Sequence, residues 1–451
     1  MKRKKLWSLL LAGVMAGQLF FAESVPAMAK DSDLVGEESL SEKQTKEPEK
    51  DKVLPNENQY EYQKQELAAF CHFGPNTFNE IEWGENYGSR TPDDIFKLEA
   101  DFDADTFVKT IKEAGFEKLI VTAKHHDGFC IWNSKHTEYD VESTSYKNYN
   151  YDGLQGDVLA EISAACTEYD VDMGLYLSPW DIHDDSYGYK DKDGKPLVQP
   201  IYNSQGQVTG QKPLDGMTWD EVKEKDAKES RDYNEYYNNQ LIEILSDDKY
   251  GNDGHFKEVW MDGAKGSGAG YQEYTFEKWF ETIQKYEGKD AGYESDCMLF
   301  GAEAYTTVRW IGNENGYANE QTWSKSKVDY ETNKIDSNNV GGFTAGYEDG
   351  NQWTVPESDA RITSGWFWGT KKNTPKSVAD LAGMYFNSVG HNSPLLLNIP
   401  PNTQGKIDDA ILNRVTEFGQ NIKDTFKSNL AAHGTARATE VRGNECSGRA
   451  G

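Results

Sequence analysis

Acidic side chains that directly follow apolar runs are the part of this sequence best equipped for chemistry. In KEVWMDGAKG (257–266) valine and tryptophan look like the end of a buried strand, yet the strand finishes on Asp262 with a glycine-rich loop behind it. In TVRWIGNE (307–314) a second apolar run leads to Glu314. Capping a helix is the ordinary job of such an aspartate. The following GAKGSGAG is not an amphipathic run, so capping explains little here. Its glycines match neither GxGxxG nor GxxxxGK[ST], and a flexible rim loop accounts for them better than a phosphate cradle. Two carboxylates at the ends of different strands allow one to attack and the other to donate a proton, the pair that a glycosidase uses. On residue type alone, Glu314 is not distinguished from Glu303 or from a surface glutamate.

Histidines sit in the same kind of place. His72 follows LAAFC, and His125 and His126 follow KLIVTAK. Metal-dependent barrel hydrolases want His-x-His, which keeps both rings on one face of a strand. Adjacent histidines point to opposite faces unless the strand has already ended, so no metal and no cofactor are expected. Each neutral imidazole has one donor and one acceptor, which suits it to sugar hydroxyls. DKDGKP (191–196) starts like a calcium loop, but the residue eleven beyond Asp191 is Tyr202 rather than glutamate, and the EF-hand reading fails.

The elements that must carry these groups alternate. DADTFVKTIKEAGF puts Phe107, Val108, Ile111 and Ala114 on one helical face and stops at Gly115. KLIVTAK follows as a buried parallel strand. GDVLAEISAACTEYDV (156–171) is helical and leads into MGLYLSPWD; ESRDYNEYYNNQLIEILSD is helical and yields to FKEVWMDG. CMLFGAE (297–303), TVRWIGNE and PLLLNIPP (394–401) read as later strands, and further helices are expected over 273–286, 378–388 and 407–424. Such alternation over about 360 residues favours a (β/α) barrel, though periodicity alone also admits a doubly wound sheet. The strand ends favour the barrel further. His72, the His125–His126–Asp127 run, Trp180–Asp181, Asp262 and Glu314 each close an apolar strand, and a barrel brings all such ends to one mouth. The fold class is therefore α/β, a (β/α)8-like TIM barrel.

The flanking segments are of another kind. Residues 1–29 have a basic head, a 17-residue apolar run from Leu6 to Ala22 and the small-residue site Ala27-Met28-Ala29, the pattern of a secretory signal peptide. The run is short for a membrane span, so export without membrane insertion is expected. Residues 30–58 are charged and too polar to bury, and read as a disordered linker before a domain over 59–425. Residues 426–451 turn small and polar, like a linker or the opening of a truncated second domain. The formal charge of −29 becomes −32 without residues 1–29, which repels nucleic acid and anionic membranes and leaves a neutral or cationic partner, with a carbohydrate fitting well. Twenty-five tyrosines and 12 tryptophans supply flat amphipathic surfaces for such a ligand. The five cysteines are scattered with no CxxC, which makes neither a disulfide framework nor a zinc knuckle.

Taken in order, HFGPNTF with EWG, KHHDGFCIW, GLYLSPWD, VWMDG, RWIGNE and LLLNIPP resemble the α-L-fucosidases of glycoside hydrolase family 29 over roughly residues 60–425. The resemblance implies a distorted (β/α) barrel with a C-terminal β-sandwich, of which at most the start is present here. It implies retaining cleavage, with Asp262 as nucleophile. Glutamate in the GNE context resembles the acid/base of the branch acting on α-1,3- and α-1,4-linked fucose, which assigns the proton to Glu314. His72, Glu82, Trp83, His125, His126, Tyr176 and Trp260 fall on positions that line the fucose pocket in the family, and Trp132, in the same stretch as the histidine pair, is expected to join them. The implied partner is a fucosylated glycan. A secreted carbohydrate-binding barrel without turnover would keep the aromatics and histidines but need not pair Asp262 with Glu314.

Overall fold

The computed structural model describes residues 53–435, apart from 86, 152, 192–194, 203–207, 227–231, 264–271, 289–290, 293–296, 302–305, 330–333 and 336–344. The signal-peptide reading, most of the linker, the glycine-rich loop after Asp262, Glu303 and residues 436–451 lie outside the described residues.

Eight parallel strands close into a barrel in chain order: β1 (Leu67–Cys71), β2 (Lys118–Lys124), β3 (Asp172–Leu177), β4 (Glu258–Trp260), β5 (Met298–Phe300), β6 (Val308–Trp310), β7 (Val355–Arg361) and β8 (Leu395–Asn398), which pairs back onto β1. Helices α1 (Glu57–Lys64), α2 (Ala104–Ala114), α3 (Val158–Glu168), α4 (Tyr233–Leu245), α5 (Phe276–Glu287), α6 (Val378–Ser388) and α7 (Asp409–Thr425) are the longer ones. The barrel expectation holds. Its outer core is apolar side chains between strands and helices. In α2, Phe107, Val108, Ile111 and Ala114 are buried on one stripe, Asp103 accepts from the Thr106 N–H, and Gly115 ends the helix at φ +99°. Each large apolar side chain in that stripe contributes roughly 1.5–3 kcal/mol. At the crossing of α2 and α7 a Cβ on Gly419 would lie 2.2 Å from the Ala114 carbonyl oxygen, so only glycine permits this approach.

The barrel interior is a second, smaller core. Ala68, Phe70, Ile120, Tyr176, Trp260, Met298, Phe300, Val308, Val355 and Leu396 face one another there. They sit at every other strand position, and the same alternation carried two residues further reaches His72 after Phe70, Ser178 after Tyr176, Asp262 after Trp260 and Asn398 after Leu396. Carried the other way it reaches Lys118 and Glu258, whose buried ion pair fills the floor of the barrel with Glu357.

Two differences from the sequence reading stand out. The strand β7, VPESDAR, is not marked by an apolar run, because its inward positions carry Glu357 and Asp359. And α1 begins at Glu57, inside the segment read as linker. Asn56 and Gln59 form a capping box, and only Gln59 and Tyr62 are buried, so the composition gives no sign of the helix. The Tyr62 hydroxyl lies 2.5 Å from Glu357 and 3.1 Å from Glu258. The Lys118 ammonium sits 3.7 Å from its ring centroid. The segment after β3 holds an antiparallel hairpin of Val198–Tyr202 with Val208–Pro213 and a short helix, Trp219–Lys225.

Candidate active site

At the carboxyl ends of the strands the barrel opens into a cavity of about 420 Å³. His72, Glu82, Trp83, His125, His126, Tyr176, Trp260, Asp262 and Glu314 all line it, so nine of the ten expected site residues meet at one opening. Trp132 does not. It is wholly buried in the outer core, its indole donating to Glu243 at 3.0 Å. Six residues past His126, the chain has already turned away from the mouth.

Asp262 is fixed by its neighbours on the β2–β3 side. Tyr176 donates to its Oδ2 at 3.1 Å, and Nε2 of His126 lies 3.7 Å from the same oxygen. Glu314 lines the same cavity, and there the Trp366 indole donates to its Oε2 at 3.2 Å and an Arg361 guanidinium nitrogen approaches it at 3.6 Å. The Asp262 side chain is 28% exposed and that of Glu314 45%, so both acids are open to a ligand.

The histidine pair faces the cavity together because β2 stops at Lys124, just before it. Gly128, at φ +80°, closes the turn directly over Asp181; a Cβ there would fall 2.4 Å from a carboxylate oxygen. Asp181 in turn accepts from the His183 and Asp184 N–H groups and from Lys124 at 3.3 Å, and the Ile182 N–H donates to the His126 carbonyl. Burial pushes the His72 imidazole down to about 3, against a hydrogen bond to the Asn398 amide oxygen that opposes it. Burial lowers His125 well below the usual value, and lowers His126 even with the Asp262 carboxylate beside it. All three rings are neutral at neutral pH. Among the described residues no cluster of three His, Cys, Asp or Glu side chains is placed to hold a metal ion.

Trp83 stands at the rim, 46% exposed, edge-on to His126 and Trp180. The loop carrying Glu82 and Trp83 is pinned through Asn76, which donates to the Glu82 carbonyl at 3.1 Å and to Asp127 at 2.8 Å while accepting from Tyr87 at 2.6 Å. Burial pushes the Asp127 carboxyl up to about 7. Deeper in, Trp260 stacks on Phe300 at 3.8 Å and on Tyr176 at 5.3 Å, giving an apolar wall with Phe70.

Several lining residues were not legible in the sequence. Asp359 accepts from the Trp310 indole at 2.8 Å, and burial, with Glu314 and Glu357 adding to it, raises its carboxyl well above the ordinary range. Trp310, Trp366 and Phe300 complete the wall. Trp310 and Phe300 belong to quoted strands, and their inward position as the last residue of each strand was a usable signal. Asp359 and Trp366 lie on or after β7, which no apolar run announces.

Comparison with known proteins places this geometry. A family-wide sequence profile described as Alpha-L-fucosidase matches residues 33–425. The chain is similar to "Alpha-L-fucosidase 1" of Arabidopsis thaliana, 35% identical over 395 residues, covering 87% of this chain and 65% of that protein's length. It is similar to the solved structure of a Ruminococcus gnavus GH29 fucosidase in complex with fucose, at 66% identity and a TM-score of 0.74, covering 84% of this chain and 69% of that one. A glycoside hydrolase 29 family member from an unknown rumen bacterium is similar at 30% identity and a TM-score of 0.65, covering 86% of this chain and 60% of its own.

Proposed function

The chain belongs to the α-L-fucosidase family, and from that premise we propose that it is a retaining exo-fucosidase that removes terminal α-L-fucose from glycans. The observation that carries the reading is that Asp262 and Glu314, from different strands, line one cavity and are each oriented by an aromatic donor, Tyr176 and Trp366. Asp262 attacks the anomeric carbon while Glu314 protonates the departing oxygen, forming a covalent fucosyl–aspartate. Water deprotonated by Glu314 then attacks the same carbon from the opposite side, releasing fucose and returning the proton to Glu314. The neutral imidazoles of His72, His125 and His126 bind ring hydroxyls. The Phe70–Trp260–Phe300 wall takes the methyl group that fucose carries in place of a hydroxymethyl.

The GNE context of Glu314 supports α-1,3- and α-1,4-linked fucose as the substrate, and the first 29 residues support export of the protein. Product analysis on α-1,2-, α-1,3- and α-1,4-fucosylated glycans side by side tests the linkage; release from the α-1,2 glycan alone rejects it. Trapping with a 2-fluoro fucosyl reagent should label Asp262, and a label elsewhere rejects the nucleophile. Azide added to the Glu314→Ala variant should give fucosyl azide of retained configuration. The amino terminus of protein recovered from the medium tests export.

A further inference from the structure

Two imidazoles in the cavity are tied, through Nδ1, to groups whose own hydrogen is committed elsewhere. Asn398 donates its amide N–H to the Trp366 carbonyl at 2.7 Å. The atom it turns toward Nδ1 of His72, 2.8 Å away, is therefore its oxygen. An amide oxygen only accepts, so Nδ1 of His72 carries a hydrogen. Ser178 has one hydroxyl hydrogen and gives it to the Trp180 carbonyl at 2.7 Å. Its oxygen thus accepts from Nδ1 of His126, also at 2.7 Å. A neutral ring with its hydrogen on Nδ1 has only a lone pair at Nε2. At His126 that lone pair lies 3.7 Å from Asp262 Oδ2, acceptor against acceptor, an unfavourable approach until a donor arrives. His125 is different: its buried Nδ1 has no hydrogen-bond partner among the described residues, and neither tautomer is imposed.

We propose that Asn398 and Ser178 are positioning residues that lock His72 and His126 as Nδ1–H tautomers, so that the cavity requires a ligand bringing a hydroxyl donor to each ring, with His125 adapting to the hydroxyl that remains. The ligand class is a sugar whose ring hydroxyls are free; methylation, acetylation or fluorination at either of the two hydroxyls abolishes the donor. That the sugar is fucose rests on the fucosidase reading, whereas the tautomers do not.

The test starts with the unliganded native protein, its histidines labelled with nitrogen-15 in the ring. At pH 7 the spectrum should show a protonated Nδ1 and an unprotonated Nε2 at both His72 and His126. Ser178→Ala should release His126 toward the other tautomer and Ser178→Thr should restore it; a purely structural role for Ser178 would leave the ratio unmoved. Calorimetry then compares L-fucose with its 2-, 3- and 4-deoxyfluoro analogues. Two of the three should bind roughly tenfold to a hundredfold more weakly, since fluorine cannot donate and the ring nitrogen is left unpaired. An Nε2–H ring at either position in the unliganded protein, or three analogues that bind as fucose does, overturns the proposal. If both tautomers are as stated but fucose itself does not bind, the lock is upheld and the fucosidase reading falls.

Discussion

The two walls of the cavity are built differently. On the β1–β3 side the strands run five, seven and six residues, every position but one is buried, and the histidines that follow are held by Asn398, Ser178 and the Asp181 turn. On the β5–β6 side both strands are three residues each, and Glu314 leaves β6 on a loop with its side chain nearly half exposed. Asp262 leaves a short strand too, but the hydrogen bond from Tyr176 attaches it to the β1–β3 wall. The difference matches the two tasks proposed for these acids. A nucleophile must be aimed at one carbon, which favours a fixed wall. An acid/base must meet first a large leaving group and then water, which favours an open one.

The contrast can be broken in order of severity. Asp262→Ala should lower kcat by roughly 10⁴-fold or more on every fucoside, because the covalent step is lost outright. Glu314→Gln should cost about 10²- to 10⁴-fold on a glycan but far less on an aryl fucoside whose leaving group needs no proton; equal losses on both substrates would reverse the assignment. Tyr176→Phe should reduce kcat/KM by about tenfold through the freed Asp262, and Trp366→Phe by less, because Glu314 is already solvated. If Trp366→Phe proved the more damaging, the open wall would be the one that needs aiming.

The smallest effect is on stability against pH, and it has opposite signs for buried bases and buried acids. His72 falls to about 3 in the folded chain, from about 6.5 unfolded. Between those values only the unfolded chain binds the proton, so stability is lost as pH falls. Asp127 rises to about 7 from about 3.9 unfolded. There the folded chain keeps a proton that the unfolded chain releases, so stability is lost as pH rises from about 4 to 7. Each slope is ~1 kcal/mol per pH unit. Urea unfolding should show Asp127→Asn flattening the decline toward neutral pH, and His72→Gln flattening the acid limb.

Much of this was readable in one dimension because a parallel barrel writes its strands as apolar runs. LAAFC, KLIVTAK and PLLLN are buried on both faces and could only be interior strands, and the residues that end them could only lie at one mouth. Asp262, Glu314 and the three histidines were legible for that reason, as was the stripe of α2. What the sequence alone determined was thus the fold class and the set of strand-end residues.

Tertiary structure decided what those residues touch. β7 was hidden because its inward positions are Glu357 and Asp359, which a strand tolerates only when a barrel floor supplies Lys118 and Tyr62 and a mouth supplies Trp310. Trp132 was misplaced because closeness in sequence to His126 says nothing once a glycine has turned the chain. The tautomers of His72 and His126 depend on partners 326 and 52 residues away. Hydrogen-bond direction is a property of pairs in space, and no local pattern of residues carries it.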